Sequence, residues 1–321
     1  MTSTSTTSPT PRAATRTGSR WLAPILLANL VAEIGIVVTG GLVRVTGSGL
    51  GCPTWPECVD GSITPTIEQP EGIHKYIEFG NRTLTSVLVL LAAATVLAVW
   101  RWAPRRAMKT GAVAVLGGVF AQAALGGLTV RLGLNPATVA AHFLLSMALV
   151  AASSYLWFAR HDGAGPPRPL VPPLVTRLGW VTVAAGAAVL ALGTVVTGSG
   201  PHSGDADEPN RFGFDARTVS WLHADLVMVF IGLVVATWLA ARLTAVDDDR
   251  GPARAWLVVL GVSLAQGLIG YVQYFTKLPE ALVVAHMLGA SLLVVALTNG
   301  VLALRTRSDA AEPALTTAAT G

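Results

Sequence analysis

Charged residues are scarce in this chain. Asp, Glu, Lys and Arg make up 12% of its 321 residues, about half of the share that is usual in soluble domains. Hydrophobic residues make up 52%, and the mean hydropathy is +0.58. So few charges exclude a soluble globular protein, whose surface must be largely polar. The composition therefore predicts an integral membrane protein.

The apolar residues are grouped into eight long runs. A helix needs roughly 20 residues to cross a hydrocarbon core of about 30 Å, and each run meets this length. The runs cover residues 21–43, 75–101, 111–131, 137–159, 178–198, 217–241, 255–275 and 281–304. Because they leave no soluble domain, the sequence predicts an all-α protein with eight transmembrane helices.

Polar tails and one linker divide the chain further. Residues 1–20 and 306–321 have the small and polar composition of disordered tails, and residues 161–177 form a linker. The helices then fall into an N-terminal bundle at 21–160 and a C-terminal bundle at 178–305. The sequence lacks a clear cleavage site after the first run, so we expect that run to be retained as a helix.

The loops between the runs differ in basic residues. Of the 22 Lys and Arg residues, 15 lie on one face of the predicted bundle. The positive-inside rule places that face, with both termini, in the cytoplasm of a multi-pass cell-membrane protein. The pI of about 9.4 thus reflects topology, and it gives no reason to expect nucleic-acid binding.

Cysteine is even rarer than charge. The chain has only Cys52 and Cys58, both in the extracytoplasmic loop between helices one and two. A disulfide is permitted on that side of the membrane and is the favoured interpretation. A pair of free thiols and a metal site are the alternatives. The metal site is the weakest, because neither a His nor a further Cys lies close in sequence.

Four histidines occupy matching places in the two halves of the chain. His74 and His142 precede or begin apolar runs of the first half, and His223 and His286 do so in the second. All four fall on the extracytoplasmic side. Burial of a polar side chain in lipid is costly, so four such coincidences need a common cause. A repeated pair of imidazoles inside a helical bundle predicts bis-histidine haem binding.

Other motifs support an internal repeat. Two pairs are separated by 144 residues, Gln122 with Gln266 and His142 with His286, and the glutamines are expected to form interhelical hydrogen bonds. Two copies of the sequence Val-Thr-Gly-Ser-Gly begin at residues 45 and 196. Each half has an even number of helices, so both halves keep the same orientation. The expected fold is therefore two pseudosymmetric four-helix bundles, side by side.

One set of motifs extends over nearly all eight helices. Its members are Thr46-Gly47-Ser48-Gly49-Leu50-Gly51-Cys52, Trp55-Pro56, Cys58, Glu78-Phe79-Gly80-Asn81-Arg82, Gly126-Gly127-Leu128-Thr129-Val130, His142-Phe143, His223 and His286. Together they resemble the haem A synthase family, whose members oxidise the C8 methyl group of haem O to a formyl group. Two successive hydroxylations, the second giving a gem-diol that loses water, are the route that this resemblance implies.

The resemblance also implies cofactors and partners. His223 and His286 would hold a haem b in the C-terminal half, and the N-terminal half would bind the substrate haem O through His142. Haem O synthase, an electron donor and the lipid bilayer are the expected partners. The family's cytochrome oxidase connection implies that the product is used as an oxidase cofactor.

The chain departs from the family pattern at the start of helix two. The family has Glu-x-x-His-Arg there, and this chain has Asn81 at the position of the His. An amide is a poor ligand for haem iron. His74 lies on the same helical face, about 10 Å nearer the outer surface, so we expect it to supply the missing imidazole. Asn81 and Arg82 would then lie near the substrate haem.

Glu78 is the candidate catalytic carboxylate. By the resemblance, it would carry a proton or stabilise a cation-like intermediate near the methyl group that is oxidised. A salt bridge to Arg82, one helical turn away, is the simpler interpretation, and the two are compatible. Glu71 is the alternative carboxylate, because Glu71 and His74 repeat the Glu-x-x-His spacing without its flanking residues.

A second class of function fits part of the sequence. A duplicated four-helix unit with paired histidines also describes a non-catalytic, membrane di-haem cytochrome b that transfers electrons. The cysteine pair and the intramembrane Glu78 favour the enzyme, because an electron carrier needs neither. A transporter is disfavoured, since the polar residues gather at one membrane face.

Overall fold

The computed structural model describes residues 19–103, 105–205, 209–246 and 249–308. Within these ranges, eight helices are long and apolar enough to cross a membrane, which confirms the predicted all-α membrane fold. The predicted disordered tails fall almost wholly outside the described residues. The helices are α1 Leu22–Val45, α2 His74–Trp102, α3 Arg106–Arg131, α4 Pro136–Ala159, α5 Pro173–Ser199, α6 Ala216–Thr244, α7 Gly251–Phe275 and α8 Glu280–Leu302.

Side-chain caps fix the starts of two helices that matter for the site. Asn135 accepts a hydrogen bond from the Ala137 N–H at the start of α4. Asp215 accepts bonds from the Thr218 hydroxyl and N–H at the start of α6, and these bonds hold the pKa of its carboxyl below the usual range. Such caps satisfy N–H groups that the helix itself leaves unpaired. They set where His142 and His223 lie in their helices.

The helices pack as two groups of four. In the first group, α1 and α3 each contact both α2 and α4. In the second group, α6 and α8 each contact both α5 and α7. Each group therefore closes a ring of neighbours, as in a four-helix bundle. The groups meet where α1 and α4 pack against α8 and where α4 packs against α5. A rotation axis relating the two groups stays a prediction.

The α1–α2 and α5–α6 loops lie at the same end of the molecule, which we call the loop end. There, the Gly49 N–H donates to the Gly204 carbonyl at 2.9 Å. Arg44 on α1 donates to the carbonyls of His202 and Thr197. These bonds cross from one group of helices to the other, so the two groups are joined at the loop end by backbone contacts as well as by helix packing.

A two-stranded sheet lies at the end of the molecule opposite the loop end, where it connects the two groups of helices. Strand β1 (Arg168–Pro169), before α5, pairs antiparallel with strand β2 (Arg305–Thr306), after α8. Beside it, Asp162 accepts charged hydrogen bonds from Arg105 at 2.7 Å and from Arg305 at 2.9 Å. The predicted linker at 161–177 is thus ordered in part, and α5 begins within it, because Pro173 suits the first turn of a helix.

Candidate functional site

A cavity of about 710 Å³ lies between the helices near the loop end. All eight helices line it, each with residues from the half nearer that end. Its volume is within the range of small-molecule and cofactor sites, about 300 to 1,000 Å³. The cavity extends into both groups of helices. Two ligands, one beside each group, would therefore share one continuous cavity.

Three of the four predicted histidines line this cavity: His142 on α4, His223 on α6 and His286 on α8. Each residue is only half-buried, although its Nδ1 atom is buried and has no hydrogen-bond partner of normal geometry among the described residues. The accessible part of each imidazole therefore faces the cavity. A buried imidazole nitrogen without a partner is uncommon, and ligand contacts are one explanation for it.

A glycine of the neighbouring helix faces each of these rings. A Cβ atom on the glycine would lie between 3.2 and 3.6 Å from the imidazole Cε1 in all three cases. A larger side chain would fill the space beside the ring, so glycine keeps that face of the cavity open. The pairs are Gly126 with His142, Gly193 with His223, and Gly270 with His286.

Two glutamines orient the helices that carry these rings. Gln122 on α3 donates to the His142 carbonyl at 3.0 Å, and Gln266 on α7 donates to the His286 carbonyl at 2.8 Å. The interhelical bonds expected from the sequence are therefore present, and both end on the backbone of a cavity histidine. Equivalent contacts 144 residues apart are what a duplicated unit would produce.

The fourth histidine lies elsewhere. His74 begins α2 and is not among the residues that line the cavity. Its Nδ1 atom shares a 2.8 Å hydrogen bond with the Ser48 hydroxyl, and Gly51 packs against its backbone. Asn81 does line the cavity, where its side-chain oxygen accepts a 2.7 Å hydrogen bond from Thr39. The geometry thus brings the amide, and not His74, to the cavity wall.

Glu78 lies between the cavity and the cysteine loop. Its side chain lines the cavity, and the residue is 5% exposed. One carboxylate oxygen pairs with the Arg82 guanidinium, and the other accepts the Cys52 N–H at 2.7 Å. The salt bridge and the cavity position therefore coexist, as the sequence allowed. Glu71 is not a lining residue, so the geometry favours Glu78 of the two carboxylates.

The cysteine loop covers the N-terminal part of the cavity. Cys52 and Cys58 form a disulfide and are fully buried, which confirms that pairing and rules out the free thiols. Among the described residues, no group of three His, Cys, Asp or Glu side chains is placed to hold a metal ion. Trp55 lines the cavity and packs so closely on Gly127 of α3 that a side chain there would collide with the ring.

Arg82 fixes this loop to α2. Besides Glu78, its guanidinium reaches three loop carbonyls, those of Cys52 at 2.6 Å, Thr54 at 2.9 Å and Glu57 at 3.1 Å. A guanidinium has five N–H donors in a fixed plane, which suits several acceptors at once. One side chain thus connects the carboxylate, the helix and the loop that covers the cavity.

Two charged residues of α1 also line the cavity, and the sequence reasoning did not select either. Glu33, near the middle of the helix, is 2% exposed, and Arg44 lies in the last turn, at the loop end. A lone carboxylate within an apolar run was the available signal for Glu33, since charged residues inside a membrane usually have a function.

The fold and the cavity define a class: a helical membrane protein with eight candidate spans and an interior cavity lined by histidines. A family model described as cytochrome oxidase assembly protein, COX15-CtaA, matches residues 23–202, more than half of the chain. The chain therefore belongs to the COX15-CtaA family of cytochrome oxidase assembly proteins.

Three similar proteins are named heme A synthase. The heme A synthase of Lysinibacillus sphaericus (strain C3-41) is 27% identical over 298 residues, covering 86% of this chain and 92% of the relative. That of Methylobacterium sp. (strain 4-46) is 29% identical and covers 88% and 90%. That of Geobacillus kaustophilus (strain HTA426) is 32% identical over 38% of this chain and 37% of the relative. The similarity to the first two extends over both groups of helices.

The role of Arg82 in holding the loop can be tested by removing its donors. In Arg82→Met, three loop carbonyls lose a charged partner, and each such bond contributes about 1.5 to 3 kcal/mol. We expect limited proteolysis to cleave the loop at residues 46–73 at least about tenfold faster than in the wild type. Arg131→Met is the matched control, because Arg131 makes one bond to the loop, at the Trp55 carbonyl. Equal cleavage rates in both variants would contradict this role.

Proposed function

We propose that this protein is a haem A synthase, a membrane oxidoreductase that converts the C8 methyl group of haem O to a formyl group for cytochrome oxidase. The observation that carries the proposal is the shared cavity, lined by His142, His223 and His286 together with the buried Glu78. The two relatives that match most of the chain have this name and support the same conclusion.

The C-terminal half at 178–305 is proposed to bind haem b, and the imidazoles of His223 and His286 are the side chains that would hold its iron. The residues fit such a group, because both imidazoles reach the cavity and each faces a glycine that leaves room beside the ring. When bound, haem b supplies a one-electron redox centre. The protein's own contribution is to position the two rings, through the capped start of α6 and the Gln266 bond to α8.

The N-terminal half at 21–160 is proposed to bind the substrate haem O, with His142 as its imidazole ligand. Asn81 and Arg82 line the same part of the cavity. Coordination by His74, the expectation from the sequence, would require the start of α2 to move, because His74 is not among the residues that line the cavity. We therefore propose His142 as the main ligand and Asn81 as a cavity-wall residue.

Glu78 is proposed to act as a fixed negative charge beside the methyl group that is oxidised. Both of its oxygens already accept hydrogen bonds, from Arg82 and from the Cys52 N–H, so the carboxylate is held in one orientation. A preorganised charge stabilises positive charge that develops on the substrate without having to reorient. This geometry supports an electrostatic role over that of a mobile proton carrier.

The loop end is proposed to face the extracytoplasmic side, with both termini in the cytoplasm. The basic residues favour this orientation, and an oxidising compartment suits the disulfide at the loop end. A substrate supplier of the haem O synthase type and an external electron donor are the partners that this function requires.

The proposed activity is tested by supplying haem O to the expressed protein and separating the extracted haems by chromatography. The wild type should yield an alcohol-bearing haem and then haem A. Glu78→Gln keeps an oxygen that can accept the Cys52 N–H but removes the charge, so we expect it to retain haem while oxidation falls about a hundredfold or more. Arg82→Gln is the comparison, since it breaks the same ion pair and leaves the carboxylate. Equal losses in the two variants would assign Glu78 a structural role only.

The axial ligands are tested by absorption spectroscopy of the purified protein. His223→Ala and His286→Ala each remove one of the two proposed imidazoles, so each should abolish the low-spin haem b spectrum. His142→Ala is the matched control and should keep that spectrum, because His142 belongs to the other half. A full bis-histidine spectrum in both C-terminal variants would refute the assignment.

The unusual helix-two position is tested with three variants. Because Asn81 lines the cavity and His74 does not, we expect His74→Ala to leave the substrate haem spectrum unchanged. Asn81→His should shift that spectrum toward a low-spin, bis-imidazole form, and Asn81→Ala should not. Loss of the substrate haem in His74→Ala alone would instead establish His74 as the ligand.

A further inference from the structure

Glu33 is a buried carboxylate of α1. It is residue 12 of the 24 in α1, which places it near the middle of the span. The side chain lines the cavity and the residue is 2% exposed. Over the described ranges, its Oε1 atom has no hydrogen-bond partner, and no cation lies within ion-pair distance of the carboxylate.

The helix register gives its depth. Asn29 on α1 donates to Ser153 on the antiparallel α4 at 2.9 Å, which places these two residues at one level. Glu33, one turn nearer the loop end, is then level with about Leu149. His142 lies two turns further along, or about 10 Å at 1.5 Å per residue. Glu33 therefore lies deeper than the histidines, at the inner end of the cavity.

The position is also on the seam between the two groups of helices. Leu30 and Val37, the residues one turn to either side of Glu33, belong to a buried cluster with residues of α4 and α8, among them Val150 and Val294. Both haem sites of the proposed function open to the same cavity. A charge on Glu33 would accordingly act on either site through a medium of low dielectric constant.

The helices packed against α1 offer no charge that neutralises Glu33. On α2, Glu78 and Arg82 pair with each other, and on α4 and α8 the cavity holds His142 and His286. On α1 itself, Arg44 lies three turns away and donates to two backbone carbonyls. An ionised carboxylate in the membrane interior needs a nearby positive charge. A ligand in the cavity is the remaining source of one.

We propose that Glu33 is a redox-linked proton acceptor for haem bound in the cavity, an inference that rests on the function proposed above. When the haem iron loses one electron to a one-electron carrier, its core gains one positive charge. Glu33 then releases one proton to bulk water and becomes a carboxylate. Reduction returns the electron to the iron and the proton to Glu33. The total charge inside the membrane is thus the same in both states.

The test measures the midpoint potential of the low-spin haem in the purified holoprotein at several pH values. One proton coupled to one electron gives a limiting slope of about 59 mV per pH unit, the equivalent of a tenfold change in proton activity. We expect a slope that approaches this limit over part of the range in the wild type, and a marked flattening in Glu33→Gln. Glu33→Asp keeps a carboxyl group and should retain the slope. Glu280→Gln, at the exposed start of α8, should match the wild type.

Infrared difference spectra between oxidised and reduced protein provide a second readout. The carbonyl stretch of a protonated carboxyl group should be present in the reduced wild type, decrease on oxidation, and be missing from the Glu33→Gln difference spectrum. A pH-independent potential in the wild type, or an unchanged slope in Glu33→Gln, would overturn the inference about Glu33 alone. A wild-type protein that binds no haem would overturn the proposed function itself.

Discussion

The ion pair between Glu78 and Arg82 is the interaction on which the site depends. It joins a residue of the cavity wall to the side chain that holds the cysteine loop in place. The pair is stable inside the bundle because its remaining hydrogen-bonding atoms have backbone partners. The Cys52 N–H donates to Glu78, and three carbonyls accept from Arg82. A buried ion pair is stable only when such secondary contacts compensate for lost hydration. The contacts of Glu78 and Arg82 therefore fix both the loop that covers the cavity and the carboxylate in the cavity wall.

Helix α1 connects the two groups of helices. Helix α1 belongs to the first group, yet it packs on α8, and Arg44 at its loop end is bonded to the loop that follows α5. As a result, the same helix presents Glu33 and Arg44 to a cavity that both groups line. The charge of a ligand bound beside one group would therefore also act on the residues of the other group.

Hydropathy alone predicted the eight helices, because a membrane span is defined by its length and by the absence of charge. The repeat predicted the cavity histidines for a related reason. An offset of 144 residues between His142 and His286 reflects equal positions in equivalent helices. The position of His74 was harder to predict. It shares a helical face with Asn81, which lines the cavity, but it lies about two turns nearer the start of α2. Periodicity gives the helical face on which a residue lies, while its depth depends on where the preceding loop joins the helix. Here α2 begins at His74, which does not line the cavity, whereas Glu78 one turn later does.

The pairing of β1 with β2 has a consequence for biosynthesis. Strand β2 follows α8, so the ribosome translates it only after all eight spans, whereas β1 and Asp162 precede α5. The first four helices can enter the membrane and pack while the rest of the chain is still being made. Their attachment to the second group through Arg305 and the short ladder has to wait for the final span. The pairing of β1 with β2 is therefore a contact that the chain can form only after the last of its eight helices has been synthesised.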